Sequence, residues 1–175
     1  IAVSEIGNIS DRRIYLLLEG LHGLPAMLCE KPGLNSGLMV TQYTTAALVS
    51  ENKSLCFPVS SDSIPTGMGQ EDHVSMGSVS ATKLLQVINN IEKIIALELL
   101  NASQALEFRR PNSFSPIIES SLSLIRKHVK KLDSDRLLNY DIEKIIELVK
   151  NKLIKTSVNL WTLRILLFKA FQKNY

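Results

Sequence analysis

Residues 84–106 read LLQVINNIEKIIALELLNASQAL and lie within a longer stretch, 75–108, that contains no proline. Apolar side chains recur along this stretch at the three- and four-residue spacing of one helix face. The members of that face are Leu84, Ile88, Ile91, Ile95, Ala102 and Ala105. Further leucines and isoleucines widen the face to most sides, which is typical of a helix surrounded by other helices. At roughly 1.5 Å per residue the stretch predicts one helix of about 50 Å, the length of an extended bundle.

The segments on both sides of this stretch also have helical patterns. We expect one helix to start with Ser10 as its N-cap and Asp11 in its first turn, and a second helix to cover about 36–53. The Ser-Pro pair at 115–116 suits the start of a fourth helix, and Asp141 opens a fifth. No alternating pattern indicates paired strands. The sequence therefore predicts an all-α fold, an extended helical bundle with one long central helix.

The composition argues against several classes of function. The 175 residues carry a net charge of +3, and the basic residues are spread along helical patterns, so we expect no nucleic-acid partner. Cys29 and Cys56 form no CxxC pair, which fits a reduced, cytoplasmic protein. Residues 32–50 are uncharged but hold too many polar side chains for a membrane span. We therefore expect a helix buried in protein there, and no membrane partner.

The last residues, 153–175, differ from the rest of the chain. Apolar and basic side chains are mixed in this tail, which contains Leu160, Trp161, Leu163, Ile165, Leu166, Leu167, Phe168 and Phe171 beside Lys155, Arg164, Lys169 and Lys173. This composition predicts a helix that packs against protein, and a helix lying on a membrane surface is the alternative. We therefore divide the chain into a helical segment, 1–152, and a basic apolar tail, 153–175.

A polar cluster lies just before the long helix. Gln70, Glu71, Asp72 and His73 are consecutive, and they follow an irregular stretch that is longer than a connection needs. Adjacent side chains splay apart, so the cluster does not suit a metal, and we expect none. Asp72 fits the first turn of a helix, where a carboxylate offsets the dipole, and His73 fits a hydrogen bond to a backbone carbonyl. Glu71 is the candidate catalytic residue, because it ends a loop beside a rigid helix.

Several short blocks resemble the C-terminal part of the histidine ammonia-lyases, within the aromatic amino acid ammonia-lyase family. They are DRRI at 11–14, GLPA at 23–26, PGLNSG at 32–37, SDSIP at 61–65, QEDHVSMG at 70–77 and ASQAL at 102–106. The resemblance covers about residues 6–149 and stops before the tail. It implies that the chain is a fragment of a larger, mainly helical lyase fold.

The resemblance also implies a role for the polar cluster. In the family, the position of Glu71 lines the active site; histidine-specific members carry a glutamate there, whereas phenylalanine and tyrosine lyases commonly carry a glutamine. A carboxylate accepts a hydrogen bond from an imidazole N–H, which favours L-histidine as the substrate and makes Glu71 and Gln70 the expected substrate-binding residues. The implied reaction releases ammonia and trans-urocanate, in a homotetramer assembled through the helical bundle.

The family uses a prosthetic group, 4-methylideneimidazol-5-one, that forms from an internal Ala-Ser-Gly. This chain contains no Ala-Ser-Gly, and its Ala102-Ser103 is followed by Gln104. We expect the family's catalytic tyrosines and carboxylate-binding arginine to precede Ile1 in a longer protein, and the chain alone to be inactive. Two alternatives stay open: a catalytically inactive helical assembly module, and part of a tyrosine or phenylalanine ammonia-lyase or aminomutase.

Overall fold

The computed structural model describes residues 1–151 and Leu153, so the division of the chain at 152 and the predicted tail helix fall outside the described residues. Within the described part the chain forms five α-helices. They are α1 (Ala2–Leu18), α2 (Met39–Leu55), α3 (Gly77–Phe108), α4 (Pro116–His128) and α5 (Asn139–Lys150). Two single 3-10 turns, Ala26–Leu28 and Gly67–Gly69, lie in connecting segments. Apart from two isolated bridges these residues contain no β-structure, and the all-α class is confirmed.

Helix α3 is the centre of the bundle. Its 32 residues run unbroken through 84–106, as predicted. Helices α1, α2 and α5 each pack against it. The buried residues of α3 are Val87, Asn90, Ile91, Ile94, Ala96, Leu97, Leu100, Asn101, Ser103, Gln104 and Ala105. The predicted apolar face is therefore correct only in part, since Ile91 and Ala105 are buried but Leu84, Ile88 and Ile95 are half-buried.

Buried polar side chains explain why the buried face of α3 differs from the predicted apolar face. Asn101 Nδ2 donates hydrogen bonds to Thr41 Oγ1 of α2 at 2.9 Å and to Leu97 O at 2.8 Å. Asn90 Nδ2 donates to Glu51 Oε2, also of α2, at 2.9 Å. A buried amide needs such partners, and α2 supplies them. The side of α3 that faces α2 is consequently buried although two of its residues are asparagines.

Helix α1 begins at Ala2, so the expected helix start at Ser10 is wrong. Ser10 and Asp11 lie in the middle of α1 and are 0% and 3% exposed. Thr45 Oγ1 of α2 donates a hydrogen bond to Asp11 Oδ1 at 2.6 Å, and Arg12 pairs with the other carboxylate oxygen. A carboxylate is common at a helix start, but the Asp11 carboxylate is satisfied by these two side chains.

The other expected helix starts are close to those observed. Ser115 is the N-cap of α4 and Pro116 is its first residue, as the Ser-Pro pair predicts. Helix α5 begins at Asn139, so that Asp141 lies in its first turn. The carboxylate of Asp141 also accepts a hydrogen bond from Arg136 Nε at 2.8 Å, which ties the helix start to the loop before it.

Helix α2 begins at Met39, slightly later than predicted, because the segment before it is held by a residue from the α4–α5 connection. The carboxylate of Asp135 accepts hydrogen bonds from the N–H groups of Ser36, at 2.8 Å, and Gly37, at 2.9 Å. Gly37 has a φ of +54°, and a Cβ there would lie 2.3 Å from Met27 O. Only glycine fits at this position.

Candidate functional site

The predicted site residues lie on a loop that projects from the bundle between α2 and α3. Residues 64–73 are all exposed, whereas Ser63 and Val74 at the two ends are half-buried. The Val74 N–H donates a hydrogen bond to Ser63 Oγ at 2.8 Å. This bond joins the outgoing and returning strands of the loop at the two ends of the exposed stretch, and we call it the neck.

A tight turn closes the loop beyond the neck. The Thr66 N–H donates to Glu71 O at 2.9 Å, and the Glu71 N–H donates back to Thr66 O at 3.3 Å. Between them, Gly67, Met68 and Gly69 all have positive φ angles, of 60°, 58° and 88°. Two of these three positions are glycines, which adopt such angles at little cost. The turn therefore fixes the backbone of Glu71 relative to Thr66.

The side chain of Glu71 folds back over this turn. Its Oε2 lies 3.5 Å from Thr66 Oγ1, a long hydrogen-bond distance. A Cβ at Gly67 would lie 2.2 Å from the same oxygen, so the carboxylate occupies space that a larger residue at 67 would fill. Gln70 precedes Glu71 on the exposed side of the turn, and its N–H donates to Gly67 O at 3.2 Å. The structure thus places Gln70 and Glu71 together at the tip of the loop.

Two clefts of the described bundle lie away from the tip of the loop. One, of about 540 Å³, lies between α1, α3 and α4 and is lined mainly by apolar residues such as Leu17, Leu99 and Leu122. A smaller one, of about 210 Å³, lies near the start of the loop beside Phe57 and Lys83. Gln70 and Glu71 line neither of these two clefts.

The neighbours of Glu71 differ from expectation. Helix α3 begins at Gly77, and its first turn holds no acidic residue, so the prediction that Asp72 supports the helix start is wrong. Asp72 and His73 are both exposed on the returning strand of the loop. The sequence QEDHVSMG has no proline, but it follows three residues with positive φ, and residues 72 and 73 form bends, so the helix begins only at Gly77.

Two residues that shape the loop, Ser63 and Thr66, are not predicted from the sequence. Ser63 bonds the returning strand, and Thr66 is paired with Glu71 through the backbone. The available signal was the residue type, because serine and threonine hydroxyls commonly bond nearby backbone groups in turns. The side-chain partner of Ser63 is the backbone of Val74, which no pattern of residue types identifies.

The residues that the structure describes are 1–151 and Leu153. Within them, no group of three or more histidine, cysteine, aspartate or glutamate side chains is placed to hold a metal ion. Over the same residues, no helix is both long and apolar enough to cross a membrane.

Solved structures that the helical bundle resembles include ammonia-lyases and aminomutases of aromatic amino acids. Residues 1–127 match the family model described as aromatic amino acid lyase, and the chain belongs to this family.

Individual relatives show which members of the family the chain resembles. The chain is similar to the histidine ammonia-lyase of Symbiobacterium thermophilum, with 52% identity over 152 residues, which is 86% of this chain and 30% of that protein. Among solved structures it is similar to histidine ammonia-lyase from Trypanosoma cruzi, with a TM-score of 0.83, 46% identity, and coverage of 86% of this chain and 30% of that one. The tyrosine aminomutase of Streptomyces globisporus gives a TM-score of 0.85 at 33% identity, covering 91% and 32%. The chain spans about a third of the length of these relatives.

Proposed function

We propose that this chain is the C-terminal part of a histidine ammonia-lyase, which eliminates ammonia from L-histidine to give trans-urocanate. The observation that carries the proposal is the glutamate at position 71, held at the tip of the projecting loop. The identity of 52% to a histidine ammonia-lyase, against 33% to a tyrosine aminomutase, supports the same substrate.

Glu71 would orient the substrate by accepting a hydrogen bond from an imidazole N–H. An ionised carboxylate accepts hydrogen bonds and donates none. It therefore suits the N–H of a histidine ring, whereas a phenyl ring has no N–H to donate to it. Gln70, its exposed neighbour, would add an amide donor and acceptor at the edge of the same site. A dry pocket is needed for these contacts to be strong, and other parts of the complete enzyme would supply its walls.

The residues of this chain do not fit the formation of 4-methylideneimidazol-5-one. The sequence contains no Ala-Ser-Gly, and the nearest match, Ala102-Ser103-Gln104, lies within α3. Ser103 Oγ donates to Leu100 O at 2.8 Å, and the Gln104 side chain is buried and bonded to backbone groups. A regular helix holds the backbone away from the bent geometry that cyclisation needs. The prosthetic group would therefore come from another part of the enzyme, and this chain would contribute binding residues only.

Assembly with other helices fits the surface of the bundle. Large apolar side chains are exposed on α1 and α2, among them Ile9, Leu16, Val40 and Tyr43. Such residues commonly pack against another chain or another part of the same chain. We propose a homo-oligomer, a homotetramer as the family resemblance implies. A cytoplasmic location fits the free thiols of Cys29 and Cys56.

Two other functions compete with this proposal. The structural likeness to a tyrosine aminomutase favours a tyrosine or phenylalanine lyase or aminomutase. A helical assembly module without activity is favoured by the missing Ala-Ser-Gly. Turnover of L-histidine, L-tyrosine and L-phenylalanine by the complete enzyme separates these candidates, because each predicts a different preferred substrate or none.

The sharpest test compares two neighbouring substitutions in the complete enzyme. Glu71→Gln removes one charge-assisted hydrogen bond to the substrate, worth about 1.5–3 kcal/mol. This corresponds to a loss of kcat/KM for L-histidine on the order of tenfold to a hundredfold. Asp72→Asn changes the adjacent exposed carboxylate in the same way and should leave kcat/KM near its original value. Both variants should melt like the parent, since both side chains are exposed. A Glu71→Gln enzyme with normal kcat/KM would remove the main support for histidine as the substrate.

A further inference from the structure

We propose that Ser63 is a positioning residue for Glu71, acting through the neck of the loop. The inference rests on the proposed function, because it assigns Ser63 a task in the placement of the substrate-binding carboxylate. It is carried by the loop geometry, in which the neck joins two half-buried residues, Ser63 and Val74, at the two ends of the exposed stretch 64–73.

The neck and the turn are two separate ties between the outgoing and returning strands of the loop. Thr66 and Glu71 form an isolated bridge and exchange two backbone hydrogen bonds, as directly opposed residues do in an antiparallel pair. The neck lies further from the tip, and there the acceptor of the Val74 N–H is the Ser63 hydroxyl rather than a backbone carbonyl. The side chain of Ser63 thus joins the two strands of the loop below the turn.

This arrangement links the bundle to the carboxylate. Residues 64–73 are all exposed, so buried packing does not fix the direction of the loop. The turn alone fixes Glu71 relative to Thr66, but not relative to α3. The neck fixes the base of the returning strand, which carries Glu71, beside the start of the outgoing strand. Without the Ser63 hydroxyl, the two strands would separate at their base and the carboxylate would sample a wider range of positions.

The first experiment measures the neck itself. Val74 amide hydrogen exchange in this chain should be faster in Ser63→Ala, and should return to the parent rate in Ser63→Thr, which keeps the hydroxyl. Ser61→Ala, an exposed serine at the start of the same loop, is the matched control and should leave the rate unchanged. Equal exchange rates of the Val74 amide in Ser63→Ala and the parent chain would show that the Ser63 hydroxyl does not hold the neck, and would overturn the inference.

The second experiment asks whether the neck acts through Glu71. In the complete enzyme, Ser63→Ala should lower kcat/KM for L-histidine by on the order of tenfold, because displacement of a binding group by a fraction of an ångström to an ångström weakens catalysis strongly. Ser63→Thr should restore most of the activity. In a Glu71→Gln background, Ser63→Ala should have little further effect, since the group that it positions has already lost its function.

Ser63→Ala, Glu71→Gln and the variant with both substitutions form a double-mutant cycle, and its outcomes distinguish failure of this inference from failure of the proposed function. Normal kcat/KM in Ser63→Ala beside a clear loss in Glu71→Gln overturns the role of Ser63 and leaves the proposed function intact. Full additivity of the two losses also overturns it, because Ser63 would then act independently of Glu71. If Glu71→Gln itself is silent, the proposed function fails, and with it the reason for positioning that carboxylate.

Discussion

The side chain of Gln104 and the backbone of Leu132 are joined by two hydrogen bonds that run in opposite directions. Gln104 Nε2 donates to Leu132 O at 2.8 Å, and the Leu132 N–H donates to Gln104 Oε1 at 3.1 Å. The same Nε2 also donates to Leu28 O at 3.3 Å. The three residues are at most 4% exposed. One side chain of α3 therefore holds the connection before α2 and the connection before α5 against the central helix.

Replacing this amide should be costly. Gln104→Leu leaves three buried backbone groups without their partner, and each unsatisfied group costs about 1–3 kcal/mol when water cannot reach it. We expect the free energy of unfolding to fall by about 3 kcal/mol or more, the lower end of that sum, measured by urea denaturation followed by circular dichroism. Gln86→Leu, at an exposed position of the same helix, is the matched control and should change stability little. Equal urea midpoints for the two variants would contradict the stabilising role of the Gln104 amide.

The carboxylate of Asp135 should stabilise the start of α2. It accepts hydrogen bonds from two N–H groups just before the helix, as a capping side chain does. Asp135→Ala should therefore lower the free energy of unfolding by about 1 kcal/mol, a typical loss for a helix cap. Asp133→Ala removes a nearby exposed carboxylate that lies 3.4 Å from the Lys131 ammonium, and such surface ion pairs contribute little. Loss of stability in Asp133→Ala equal to that in Asp135→Ala would exclude a specific cap.

The two thiols should differ in reactivity. Burial raises the pKa of Cys29 above the usual value for a thiol, and the negative charge of Asp135 raises it further. The thiolate is the reactive form, so at mildly alkaline pH iodoacetamide should label the half-buried Cys56 well before Cys29. Peptide mass spectrometry at a series of labelling times gives both rates. Faster labelling of Cys29 than of Cys56 in the folded chain would show that the burial of Cys29 is wrong.

The raised pKa of Cys29 also has a consequence for stability. Because the folded chain holds the proton more tightly than the unfolded chain, the contribution is complete below the ordinary thiol pKa of about 8.5 and is lost as the pH rises through the higher folded value. Cys29→Ser should reduce this alkaline loss of stability, whereas Cys56→Ser should not. Urea midpoints measured across that pH range make the comparison.

The chain alone should not release urocanate from L-histidine. The expectation follows from the missing Ala-Ser-Gly, without which the chain has no source for the family's electrophile. Urocanate absorbs in the near ultraviolet, so a continuous absorbance assay is direct, with an intact histidine ammonia-lyase as the positive control. Urocanate formed by the purified chain at a rate proportional to its concentration would refute the prediction.

Local patterns were sufficient to predict most of the helices. The absence of proline and the dense apolar spacing of 84–106 correctly indicate α3, and Ser115 with Pro116 correctly indicates the start of α4. These features depend on neighbours within a few residues, which a single sequence displays. The family match covers residues 1–127, which contain all six of the short blocks that carry the resemblance.

Features that depend on distant partners could not be predicted in this way. Asp11 has the residue type of a helix start, but it is buried because Thr45 of another helix donates to it. Asn101 interrupts the apolar pattern of α3, yet it is buried against Thr41. At the candidate site, Glu71 was recognisable from its polar neighbours and its block. The bond between Ser63 and Val74 was not, since it depends on how the loop closes.

The loop that carries Glu71 also bears on how this family could diversify. Because residues 64–73 are exposed, substitutions among them disturb little core packing. Under the role proposed for Glu71, selection could therefore change the preferred amino acid in small steps while the protein continues to fold. The likeness of this bundle to both a histidine ammonia-lyase and a tyrosine aminomutase is what such evolutionary freedom would produce.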